Sequence, residues 1–107
     1  MAYTGTPLVL HHALHLPGTS PIPVGSSAWF AWLATASCFS YKPEASIYHL
    51  TMRKEKRRNT FYWYAYLKVD SKLHNAYVGL SPTLSAQRLE AVSAKLLRKL
   101  YSTLSPV

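Results

Sequence analysis

The stretch NTFYWYAYLKVD (59–70) constrains this chain most, because its side chains sort into two kinds by parity. Successive side chains of a strand point to opposite faces. As a strand, it places Phe61, Trp63, Ala65 and Leu67 on one face and Tyr62, Tyr64, Tyr66 and Lys68 on the other. The first set is apolar apart from an indole N–H. The second ends in hydroxyls and an ammonium, groups that are costly to bury without partners. The pattern predicts a sheet with one dry face, closed by a helix that Ala65 lets approach, and one face of phenols left open to water.

The flanking sequence extends this reading. SIYHLTMRKEKR (46–57) and KLHNAYVGL (72–80) are rich in β-branched and aromatic residues and are set off by the polar turns KRRN and VDSKL. Parity then turns Leu50, Met52, Ala76 and Val78 inward, and Thr51, Arg53, Asn75 and Tyr77 outward. LSAQRLEAVSAKLLRKLY (84–101) predicts a helix capped by Ser85, stapled by Leu84 on Leu89, with Leu89, Val92, Leu96 and Leu100 as its buried stripe. Upstream, GSSAWFAWLATASCF (25–39) predicts another helix, capped by Ser26 and striped by Trp29, Trp32, Leu33 and Ala36. PLVLHHALHL (7–16) fits a strand or a short helix equally well, and PGTSPIPVG (17–25) is a loop. The expected fold class is α+β: a three-stranded antiparallel meander packed on a C-terminal helix, with a preceding short N-terminal helix. The chain divides into an uncharged Pro/Gly-rich arm (1–25), one domain (26–100) and a tail (101–107).

Charge points to a partner. The formal net charge is +8, with no Asp, Glu, Lys or Arg before Lys42 and five cations among the six residues from Arg53 to Arg58. Clustered positive charge favours a polyanion. The open face would gather Thr51, Arg53, Lys56, Arg57, Arg58, Tyr62, Tyr64, Tyr66, Lys68, Asn75 and Tyr77 as a nucleic-acid-binding platform. Three strands make a ribbon roughly 10 Å wide, and the B-DNA major groove, about 12 Å wide, admits such an element. Arginine and asparagine can read base edges there, while lysine and tyrosine hold phosphates. The competing arrangement lays Trp29 and Trp32 over the tyrosines. It would leave only the basic turn and the Arg88, Lys95 and Lys99 flank for phosphates.

Duplex DNA is therefore the expected partner. RNA is a second candidate, since exposed rings with basic flanks suit unpaired bases. The alternative function is a stand-alone protein-interaction subunit, docking on a larger protein or ribonucleoprotein through the uncharged first forty residues. Several classes are set aside. Pro17, Pro21, Pro23, Gly18 and three histidines interrupt the uncharged segment before it reaches the roughly twenty apolar residues of a membrane span, and no signal-peptide pattern is present. Cys38, the single cysteine, excludes an internal disulfide and reads as a small buried residue in a cytoplasmic protein. His11 and His15 have zinc-like spacing on a helix but lack further ligands, so no metal is expected. The four carboxylates (Glu44, Glu55, Asp70 and Glu90) are dispersed and no phosphate-cradling glycine loop occurs, so neither enzymatic activity nor a cofactor is expected.

PIPVGSSAWFAWLATASCFSY, followed by LTMRKEKRRNTFYWYAYLKVDSKLHNAYVGLSPTLSAQRLEAV, resembles a small accessory module of large ATP-dependent LuxR-type transcriptional regulators. The likeness covers about residues 21 to 94 and is most distinctive at Tyr62-Trp63-Tyr64-Ala65-Tyr66 and Tyr77-Val78-Gly79. Ala34 departs from it where an acidic residue is usual, as do Asp70-Ser71 at a more glycine-like turn and Ser85 at a capping threonine. The meander followed by a helix is also similar to APETALA2/ERF-type and recombinase arm-binding DNA-recognition domains. That second resemblance implies a sheet face entering the major groove, and the first implies a part in bacterial transcription regulation.

Overall fold

The computed structural model describes the backbone of residues 7–44 and 46–104 and the side chains up to Leu100. Its strands are β1 (Leu8–Leu10), β2 (Ala13–His15), β3 (Ile22–Pro23), β4 (Cys38–Tyr41), β5 (Leu50–Arg57), β6 (Thr60–Val69) and β7 (Lys72–Gly79). Helix α1 (Ser27–Thr35) lies between β3 and β4, and α2 (Ala86–Leu104) follows a single 3₁₀ turn at Ser81–Thr83. All seven strands join one sheet in the order β3-β2-β1-β4-β5-β6-β7. Neighbours are antiparallel except β1 and β4, which run parallel.

The expected three-stranded meander with a preceding helix is thereby corrected to a seven-stranded mixed sheet with two helices. Four further strands come from segments read as arm, loop or helix. PLVLHHALHL is a hairpin whose turn, His11-His12, has φ of 53° and 61°, a left-handed conformation that histidine tolerates better than most residues. Ile22–Pro23, inside the expected loop, pairs with β2. The N-terminal helix stops at Thr35, because Ala36 turns extended, and Cys38–Tyr41 leaves it to pair with both β1 and β5. Residues 101–104 of the expected tail continue α2; residues 1–6 and 105–107 lie outside the described residues.

Both helices pack on the same face of this sheet. Trp29 of α1 is fully buried and its indole N–H donates to the Leu84 carbonyl at 2.8 Å. Phe39 stands between Trp29 (5.5 Å) and Trp63 (5.2 Å), joining α1 to the centre of the sheet. Leu89, Val92, Leu96 and Leu100 bring α2 onto the same core, which also holds Leu50, Met52, Ala65 and Leu67. Ser26 accepts from the Trp29 amide, and Ser85 from the Arg88 amide, so each helix begins at a serine. Tyr41 is buried beneath α2 and donates to the Glu90 carboxylate. Along the outer edge of β7, α2 reaches over with two cations. Arg88 Nε donates to the Val78 carbonyl at 2.8 Å, and Lys99 Nζ to that of Asn75 at 3.3 Å.

Candidate nucleic-acid interface

With both helices on one side, the other side of the sheet is open. Registers place its residues: Thr51 opposes Tyr66, Arg53 opposes Tyr64, Glu55 opposes Tyr62, and Tyr64 and Tyr66 oppose Tyr77 and Asn75 on β7. Trp63, Ala65 and Leu67 are buried between them on the helix side, while Tyr62, Tyr64 and Tyr66 are half-buried and Lys68 is exposed. The arrangement with Trp29 and Trp32 over the phenols does not hold, since those rings stack at 5.9 Å on the other face. The phenol rings also support one another, Tyr77 lying 5.9 Å from Tyr62 and 5.7 Å from Tyr64. Arg57 lies over the Tyr64 ring at 5.0 Å, a cation–π placement. A groove of about 550 Å³ is lined by Thr51, Arg53, Lys54, Glu55, Tyr66 and Leu73.

Of the sequence-predicted residues, Thr51, Arg53, Arg57, Tyr62, Tyr64, Tyr66, Lys68, Asn75 and Tyr77 share this face. Arg58 sits in the two-residue turn at its end, with φ of 60°. Lys56 does not share it. It pairs with Phe61 on the opposite face and holds its ammonium 5.8 Å from that ring. Phe61, expected in the core, is 53% exposed, because it lies past the point where β7 ends opposite Trp63. Lys54 also points to the helix side. Its ammonium donates to the Leu33 carbonyl at 2.7 Å, closing the C-terminal end of α1, and burial pulls it below the usual lysine value. Arg88 and Lys99, read as a phosphate-facing flank, bond the edge carbonyls of β7 instead. Cys38, expected to be buried, is exposed on the open face opposite Arg53. His11 is in a turn, 3.1 Å from Glu44, so the helical alternative for this segment, which would have set it one turn from His15, is not adopted.

Glu55 is the residue the charge run concealed. It lies on the open face, where its carboxylate accepts from Arg57 at 2.7 Å and from the Tyr66 hydroxyl. The bond to that carboxylate raises the Tyr66 hydroxyl above the usual phenol range. Parity alone could have found it, since 51, 53, 55 and 57 must point the same way.

The length of the strands decides which part of this face can enter a groove. Seven strands span about 29 Å, far more than the major groove's width of about 12 Å. However, β4 ends at Cys38 opposite Arg53, and β7 ends at Gly79 opposite Trp63. The pairs Glu55–Tyr62, Lys56–Phe61 and Arg57–Thr60 therefore continue past both neighbours as a two-stranded ribbon tipped by Arg58-Asn59. At about 3.3 Å per residue it projects some 10 Å. Among the described residues no helix is long and apolar enough to cross a membrane. Compared with protein-family models, with curated proteins and with solved structures, the chain matches none.

Proposed function

We propose that this protein is a non-catalytic, cytoplasmic DNA-binding protein that meets duplex DNA with the open face of β5, β6 and β7. The observation that carries this reading is the placement of Arg53, Arg57 and Lys68 with Tyr62, Tyr64 and Tyr66 on the one sheet face that neither helix covers. The projecting ribbon replaces the whole sheet as the element narrow enough for the major groove. In it, Arg58 meets base edges or phosphates, Arg57 lies beside Glu55 on the face, and Lys56 reaches the opposite groove wall. Behind the ribbon, Arg53, Lys68, Thr51 and the phenols hold the backbone, and Asn75 and Tyr77 border the contact.

Binding to duplex, single-stranded DNA and RNA over a salt series tests this reading. If about five phosphates are neutralised, log K falls with log salt at a slope near −4.5 on duplex. Arg53→Ala should reduce that slope by about 0.9 without unfolding the protein. A steeper and tighter response on unpaired RNA would transfer the assignment to RNA. A flat response, or no binding at low salt, would refute nucleic-acid binding and leave docking to another protein.

A further inference from the structure

A carboxylate is out of place on a surface that serves only to hold phosphates. Glu55 is nevertheless set among Arg53, Lys54, Lys56, Arg57 and Arg58, on the open face and at the root of the projecting ribbon. The other described carboxylates are elsewhere: Glu44 beside His11, Glu90 against Tyr41, and Asp70 in the turn between β6 and β7. Glu55 is also held rather than loose. One oxygen takes the Arg57 guanidinium at 2.7 Å, the other takes the Tyr66 hydroxyl, and the side chain keeps 24% of its surface exposed. Each oxygen has a second lone pair, so the partly exposed group retains acceptor capacity. In the major groove the donor that a carboxylate can meet on a base edge is an exocyclic amine, and cytosine N4 is the amine that carboxylates read.

We propose that Glu55 is a specificity-determining residue, accepting a hydrogen bond from the N4 amine of a cytosine in the major groove. This rests on the DNA-binding reading above. The carboxylate repels phosphate, which lowers affinity for arbitrary duplex. It rewards one base in compensation, and it keeps Arg57 along the face rather than free to seek the backbone. A single bond stands at the low end of what a bidentate base contact discriminates, so a site containing the cytosine is preferred by about 5-fold over one lacking it.

The test is selection from a random duplex library by the full chain and by Glu55→Gln, with thermal melting of both. Because Glu55 lies away from the core, the variant should stay folded. The wild type should fix a C·G pair at one position, and Glu55→Gln should relax that position alone. The variant should also bind unselected duplex more tightly, with a salt slope steeper by about 0.9 as Arg57 becomes free to neutralise a phosphate. Identical selected sequences for the two proteins would overturn the proposal, as would a wild type that binds duplex with no base preference; DNA binding itself would survive both results. A wild type that binds no duplex at all would end both readings together.

Discussion

Trp63 and Tyr64 are adjacent on one strand and face opposite ways, so truncating each in turn separates core from surface. Trp63 is fully buried, lies 5.2 Å from Phe39 and donates its indole N–H to the Ser81 hydroxyl at 2.8 Å. Trp63→Ala removes that packing and leaves a cavity, which costs about 3–5 kcal/mol. The cost is a large part of the roughly 5–15 kcal/mol that holds a domain together. At about 4–8 °C per kcal/mol, the melting temperature should fall by more than about 12 °C, or the protein should not fold. Tyr64 is half-buried, with the Tyr77 ring at 5.7 Å and the Arg57 guanidinium at 5.0 Å as its neighbours. Losing these contacts costs about 1 kcal/mol. Tyr64→Ala should therefore melt within about 8 °C of the parent and still bind duplex more weakly. Far-ultraviolet circular dichroism melts and a fluorescence anisotropy titration at fixed salt measure both effects. If Tyr64→Ala unfolds the chain while Trp63→Ala only weakens binding, the two faces of the sheet have been exchanged and the interface must be sought elsewhere.

The remaining predictions concern stability. Burial, reinforced by the bond to Glu90, holds the Tyr41 phenol far above its usual value. The unfolded phenol loses its proton near pH 10 while the folded one keeps it, so this contribution is complete below pH 10 and falls by about 1.4 kcal/mol per pH unit above it. Tyr41→Phe should flatten that alkaline limb in urea titrations, and parallel profiles for the two proteins would remove Tyr41 as its source. Gly79 has φ of 138°, and a Cβ there would stand 2.5 Å from the Thr83 hydroxyl. Gly79→Ala should cost about 1–3 kcal/mol, and an unchanged denaturation midpoint would show that the strand end can relax.

Where the sequence spoke clearly, its signals were long. The ten residues of β6 carry five full periods of alternation, and the helical stripe from Leu89 to Leu100 spans three turns, so each could be placed from pattern alone. The strands β1 to β4 are two to four residues long, too short for a period of 2 to be told from chance. Their turn, His11-His12, lacks the Asn-Gly type of signal, and Cys38–Tyr41 follows α1 without a glycine or proline to mark the change. Pairing between β1 and β4 joins residues some thirty apart in sequence, which no local pattern encodes. At the interface the rings of β6 were legible because hydroxyls and apolar carbons differ. The charge run of β5 was not, because it reads as one cationic block until parity is carried through it. That parity separates Lys54 and Lys56 from Arg53, Glu55 and Arg57, and puts Cys38 outward beside Phe39.

A sheet that stops at seven strands needs a reason to stop, and β7 supplies one. Two of its carbonyls, those of Val78 and Asn75, already accept from Arg88 and Lys99 of the molecule's own helix. A newcomer pairing along that stretch would have to displace both cations. At the far margin β3 is two residues long and contains Pro23, which offers no amide for such a rung. A chain so rich in strand-forming residues thus carries its own protection against end-to-end stacking, and the guarding cations belong to the helix rather than to the sheet they guard.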